Sequence, residues 1–384
     1  MMRKNVKPVL CLLLATMMLT ACGNAQQQIV APEDTHNEPL IEAIPEEEEA
    51  EEEVILDEDG EAVIPEGMYL SELTGLPIDV SIKDQRPMAV MIDNEKTALA
   101  HYGTAEADVV YELMNSTAND RITRLMVLVK DWGKIERLGS IRSTRPANLL
   151  LYPEWNAVLC HDGGPAVHIN AYFDNDYTPH FNGFSRVNNG KSYEFTEYVV
   201  AGDLENYFSN TNVSPEYDEH RPEDESHFEF TPYGTVIDLE KDYDGAIDAE
   251  LVDLSDVFMH NASQLKYNKE TETYDYYEYG NIHKDGEDDE VLTFKNVILQ
   301  DTDFNELDNN GYLQYHVLSP EYHNGYYITN GKAIEIFWTN PQVLDHTRYY
   351  VYDENGMLEE ITINTGKTYI GLIPRDTWDA VKIE

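Results

Sequence analysis

The stretch Pro87-Met88-Ala89-Val90-Met91-Ile92-Asp93 is a continuous apolar run closed by an acid, the pattern of a strand buried on both faces. Beyond it, residues 104–114 offer a capping threonine, Glu106 and Asp108 in a first turn, and apolar residues at helical spacing, which predicts a helix. Residues 124–130 predict a strand, and Asp131-Trp132-Gly133-Lys134 a turn into a hairpin partner over 135–141. Pro146 opens a helix at its first turn, where its missing N–H costs nothing. Residues 155–160 predict another strand, His161-Asp162-Gly163-Gly164-Pro165 a loop at its carboxyl end, and 167–173 a short helix. Strands alternating with helices predict a mixed α/β domain over residues 68–208.

From residue 209 the pattern changes. Asn330-Gly331 between two alternating runs is a strong hairpin signal. Residues 349–352 and 360–363, around Asp353-Glu354-Asn355-Gly356, repeat the scheme. A mostly antiparallel β-rich domain is predicted over 209–384. Tyr274, Tyr276, Tyr277 and Tyr279 fit it as strand formers.

The first residues read as an address. Arg3, Lys4 and Lys7 precede a short apolar run that ends in Leu19-Thr20-Ala21-Cys22-Gly23, the pattern of a bacterial lipobox. Residues 1–21 are read as a lipoprotein signal peptide, and Cys22 as the thiol that takes a diacylglycerol and tethers the chain to the outer face of the membrane. Residues 22–67 read as an acidic disordered spacer. Between Glu33 and Glu66 there are 16 acids and no lysine or arginine, so the segment cannot bury enough apolar surface to offset its entropy. Within it Asp57-Glu58-Asp59-Gly60 lacks the ligand spacing of a calcium loop.

Composition narrows the function. The 73 acids against 26 Lys and Arg give a net charge of −47, which excludes sequence-independent binding to nucleic acid. Three cysteines without a CxxC pair exclude a disulfide framework. No P-loop, nucleophile elbow or dinucleotide fingerprint is present. The chain is therefore read as needing no cofactor. His161, Asp162 and His168 are a candidate zinc or acid–base set, but a glycine-rich loop with a hydrogen-bonded histidine also explains them, and no metal site is assigned.

One basic island stands out. Residues 121–145 hold seven Lys and Arg against two acids, and five of the chain's eleven arginines. Gly139-Ser140-Ile141-Arg142-Ser143-Thr144-Arg145-Pro146 sets guanidinium forks and hydroxyls between a strand and a helix start, where a phosphate or carboxylate fits. The ligand-binding residues expected are Arg121, Arg124, Arg142, Ser143, Arg145, His161 and Asp162. Internal pairing of these arginines with the chain's many carboxylates is the structural alternative.

The same residues carry a resemblance. Val109-Val110-Tyr111-Glu112, Ile122-Thr123-Arg124, the segment 139–146 and His161-Asp162-Gly163-Gly164 resemble the YerB-like lipoproteins, which carry two consecutive domains of unknown function behind a lipobox. Gly280-Asn281-Ile282-His283-Lys284-Asp285, Lys295-Asn296-Val297-Ile298, Gly331-Lys332 and Asn364-Thr365-Gly366-Lys367-Thr368 extend it over roughly 73–375. The chain departs from that family in lacking a glycine step over 115–121 and in having Tyr369 where the family tends to have tryptophan. The resemblance implies fold and location, and no established activity. The strand–turn–strand before Ser140 and Arg145 is also similar to the LytR-CpsA-Psr phosphotransferases, although the Ile373-Pro374-Arg375-Asp376-Thr377 run that looks like their core motif lies far away in sequence. Three functions follow as expectations: an envelope binding or accessory protein for an anionic ligand or wall-synthesis partner, a phosphoryl or glycopolymer transferase, and a scaffold with internally paired arginines.

Overall fold

Long apolar runs without polar alternation need cover on both faces, and the chain supplies it by placing them at the centre of one large sheet. The computed structural model describes residues 56, 62–222, 226–353 and 355–384. The leader over 1–21, Cys22 and nearly all of the 22–67 spacer lie outside the described residues.

The first half contributes β1 (Met88–Asp93), β2 (Val109–Met114), β3 (Thr123–Val129), β4 (Arg137–Gly139), β5 (Val158–Cys160), β6 (His180–Phe181), β7 (Ser185–Arg186) and β8 (Glu197–Val200). The second half adds β9 (Leu251–Asp253), β10 (Gln264–Asn268), β11 (Thr273–Glu278), β12 (Asn296–Thr302), β13 (Ser319–Thr329), β14 (Lys332–Asn340), β15 (Arg348–Tyr352), β16 (Leu358–Glu360) and β17 (Thr368–Pro374). The main sheet runs β16-β15-β14-β13-β12-β17-β2-β3-β1-β5-β6, so strands from both halves share it. The pairs β12–β17, β17–β2, β1–β5 and β5–β6 are parallel and the others antiparallel. Every residue of β1, β2, β3, β12 and β17 is buried. The Asn330-Gly331 turn joins β13 to β14 with both residues at positive φ, +50° and +74°, as a tight hairpin requires.

Two expectations are corrected. Residues 109–114 form strand β2, not a helix. The run Val109-Val110-Tyr111 is β-branched and aromatic, and a strand buried on both faces loses the alternation that would have revealed it. Strands β3 and β4 do not form a hairpin. Both edges of β3 are taken by β1 and β2, so β4 pairs with β8 in a smaller sheet. Strand predominates over helix in the regular structure of the described residues. The helices in the first half are short: Asn148–Leu151, Ala166–Ile169 and Asp203–Asn210. No helix among the described residues is long and apolar enough to cross a membrane.

Two buried carboxyls tie distant segments together. Glu112 on β2 accepts from Thr123 Oγ1 (2.7 Å), Ser263 Oγ (2.7 Å), Tyr276 Oη (3.0 Å), Tyr369 Oη (2.7 Å) and, more weakly, Asn94 Nδ2 (3.4 Å). Tyr369, the departure from the family pattern, is thus one of its donors. Glu154 accepts from Asn340 Nδ2 (2.8 Å) and from the Thr347 N–H (3.0 Å) and hydroxyl (2.9 Å), with His227 Nε2 3.0 Å away. Burial pushes the Glu154 carboxyl up to about 7. A carboxyl raised in the fold keeps its proton there while the unfolded chain loses it. Its contribution to stability therefore declines as pH rises from the ordinary value of 4.5 through about 7. Glu154→Gln removes this titration. Denaturant melts at pH 5 and pH 7.5 are expected to show the variant gaining stability relative to wild type as pH rises, by up to roughly 3 kcal/mol.

Candidate functional site

The arginine cluster forms where β1 ends and β3 begins, because Asp93 and Arg124 are register partners there. Ile141 bridges to Ile92, and the Arg142 N–H donates to the Met91 carbonyl (2.8 Å), which lays the 140–147 segment beside β1. The loop after β5 closes the other side. The Asp162 N–H donates to the Arg142 carbonyl (3.0 Å), and the Thr144 N–H to the Gly163 carbonyl (3.1 Å). β1 and β5 are parallel, so the cluster lies at their shared carboxyl end, a common ligand position in sheets of this kind.

The individual guanidiniums differ in how they are neutralised. Arg121 turns away and makes a bidentate pair with Asp376 (2.9 and 2.5 Å). It closes a glycine-free turn in which Asn119, Asp120 and Arg121 all take positive φ, at +55°, +50° and +59°. Arg137 pairs with Glu287 (3.1 Å) and lies over the Tyr102 ring. Arg142 Nε is 2.8 Å from Asp93 Oδ2, and its Nη1 is 3.3 Å from Glu194. Arg124 and Arg145 are both buried, and among the described residues neither has a carboxylate at ion-pair distance. Arg124 donates to the Ser143 carbonyl and Arg145 to the Thr144 carbonyl (2.8 Å), while the Nε of each has no partner. The Arg145 guanidinium sits 4.5 Å from the centre of the Tyr312 ring.

Burial, then the charge of Arg145, pushes Arg124 down to about 9, and burial pushes Arg145 down to about 10. Both stay charged at neutral pH. Two like charges are therefore held in low dielectric, with Asp93 near both and Asp308 near Arg145 but neither carboxylate at ion-pair distance.

Arg124, Arg142, Ser143 and Arg145 come together, bordered by the loop that carries His161 and Asp162. Arg121 does not join them. His161 turns inward, with Nδ1 2.8 Å from the Gly163 carbonyl and its ring stacked on Phe173, and burial pushes it down to about 4. Asp162 is taken by Arg186 (3.0 Å), which also pairs with Glu197. His168 faces Asp308 (2.9 Å). Sequence reasoning did not identify Asp93 or Tyr312, because neither belongs to the basic island and each arrives through the fold. An open cleft of about 780 Å³, lined in part by His220, Tyr322, His346 and Arg348, lies elsewhere and includes none of these arginines.

The comparisons with known proteins agree with this architecture. A solved structure, the YerB protein from Bacillus subtilis, matches with a TM-score of 0.67 at 20% identity, covering 82% of this chain and 99% of that one, which is a likeness of fold. The protein named "Putative lipoprotein YerB" of Bacillus subtilis (strain 168) is 30% identical over 91 residues, a segment that spans 24% of this chain and only 26% of that relative. Residues 73–214 match the N-terminal domain, and 254–370 the C-terminal domain, of the protein of unknown function DUF3048, and the chain belongs to that family.

Proposed function

We propose that the protein is a lipid-anchored, extracytoplasmic accessory protein of the bacterial envelope that holds a phosphate-bearing ligand at Arg124, Arg142, Ser143 and Arg145. One observation carries this reading: two buried guanidiniums have no carboxylate at ion-pair distance among the described residues. A buried charge without a counter-charge costs several kcal/mol, and a multidentate anion would offset it. The lipid anchor at Cys22 rests on the leader sequence and on the name of the relative. Binding is favoured over group transfer because Asp93 and Glu194 are both engaged by Arg142 and Asp308 faces His168, which leaves none of these three acids to act as a base or to carry a metal. Arg375-Asp376, reminiscent of the transferase motif, is likewise spent on Asp301, Asp303 and Arg121.

The test is calorimetric titration with inorganic pyrophosphate and with a short-chain polyprenyl pyrophosphate. Binding is expected, weaker in added salt. Arg145→Lys keeps the charge but loses the fork, and is expected to weaken it about tenfold. Absence of binding to both probes would overturn the reading.

A further inference from the structure

We infer that His101, Glu278 and His283 form a binding site for a single divalent transition-metal ion, with Zn²⁺ as the best match. Their ligand atoms all lie within 4.8 Å of one another, and all three residues are buried. They arrive from three places: the loop after β1, the end of β11, and the turn that follows it.

The hydrogen bonds assign the protons. His101 Nε2 is 2.6 Å from the Asp93 carbonyl, which can only accept, so Nε2 carries the proton and Nδ1 presents a lone pair. That Nδ1 is buried and has no hydrogen-bond partner. For His283, Nε2 is 3.0 Å from Thr104 Oγ1, whose own proton points to Asp285 Oδ2 (3.4 Å). Asp285 is further held by the Thr104 N–H (2.8 Å). In the tautomer the site requires, Thr104 accepts from His283 Nε2, and His283 Nδ1 is the second lone pair. It faces Glu278 Oε1 at 2.7 Å. Two acceptors that close need a cation or a shared proton between them. The other Glu278 oxygen, Oε2, is buried and also without a partner. Buried polar atoms are rarely left unsatisfied, and here two of them belong to the same three residues.

This is the organisation of a metal site with its outer partners in place. Each imidazole gives its far N–H to an oxygen, which fixes the tautomer and leaves the near nitrogen as a ligand. Two imidazoles and a carboxylate suit zinc, with the fourth position left to a solvent oxygen. Zinc holds such ligands at about 2.0–2.2 Å, so its ligand atoms stand about 3.4 Å apart: the more widely spaced atoms, now up to 4.8 Å from one another, would draw in, while His283 Nδ1 and Glu278 Oε1, 2.7 Å apart, would separate slightly. The site does not include the clustered arginines, and Asp93 links the two: its carbonyl serves His101 while its carboxylate serves Arg142.

The experiment is a ZnCl₂ titration of the chelator-stripped full chain by calorimetry, beside His101→Ala and, as a control, His180→Ala, whose ring stacks on Phe173 beside His161. One tight site per chain is expected. His180→Ala should keep it, and His101→Ala should weaken it by more than the ~10–100-fold that loss of an outer partner costs. Wild type without a tight site, or His101→Ala binding like wild type, would overturn the proposal. X-ray absorption of the zinc-loaded wild type decides the matter even if His101→Ala fails to fold. Two nitrogens at about 2.0–2.1 Å support the site, and an all-oxygen shell, as the acidic residues near the N-terminus would give, overturns it.

Discussion

Glu112→Ala is expected to lower the free energy of unfolding by about 4 kcal/mol. The carboxyl is fully buried, and four hydroxyls and one amide donate to it. Alanine removes the acceptor and leaves a space. Some donors can turn to one another, as Ser263 Oγ and Tyr276 Oη already lie 3.2 Å apart, but Tyr369 and Thr123 cannot all be repaid. Such a loss is a large part of the ~5–15 kcal/mol that a folded protein commonly has. Glu112→Gln keeps one acceptor oxygen and offers its amide to tyrosine hydroxyls that can turn to accept, so it is expected to cost only about 1 kcal/mol. Urea midpoints of the two variants check this. Equal, small effects would mean that Glu112 does not hold the two halves of the sheet together.

Arg124→Met is expected to act in opposite senses on stability and on binding. The guanidinium is buried beside Arg145, with a backbone carbonyl as its acceptor. An apolar side chain of similar length loses that hydrogen bond but relieves desolvation and like-charge repulsion, for a net gain of about 2 kcal/mol. The same change removes a buried, charge-assisted contact to the anion and is expected to weaken pyrophosphate binding by more than about 100-fold. Thermal melts and calorimetry on one preparation test both. A variant that is less stable, in a protein whose wild type binds no anion, would favour the scaffold reading.

How much could be read from sequence depends on where each partner sits along the chain. β1, β3 and the β13–β14 hairpin were legible because local signals, a doubly buried apolar run and an Asn-Gly turn, decide them. β2 was not, since Glu106 and Asp108 imitate a helix start and Glu112 interrupts the strand; its carboxyl is satisfied by residues up to about 260 positions away. The basic island was visible in composition alone. Which of its arginines are neutralised was not, because Asp376, Glu287 and Asp93 reach them only through the fold. The trio of His101, Glu278 and His283 left no local spacing to find, although the Gly280 to Asp285 run was among the residues that carried the family resemblance.

The position of β17 has a consequence for how the protein is made. This strand, drawn from residues 368–374, lies between β12 and β2 and is parallel to both. Until it is delivered, β2 and β12 each keep an open, apolar edge at what will be the centre of the sheet. Pairings of this sequence separation form slowly, because loop closure precedes any gain from contact. If the chain is exported, as the proposed function has it, the sheet cannot close while residue 374 is still inside the cell. Most of the polypeptide would then wait outside, unfinished and liable to aggregate, and the dense negative charge on its N-terminal stretch would be of most use during that interval, when mutual repulsion keeps neighbouring chains apart.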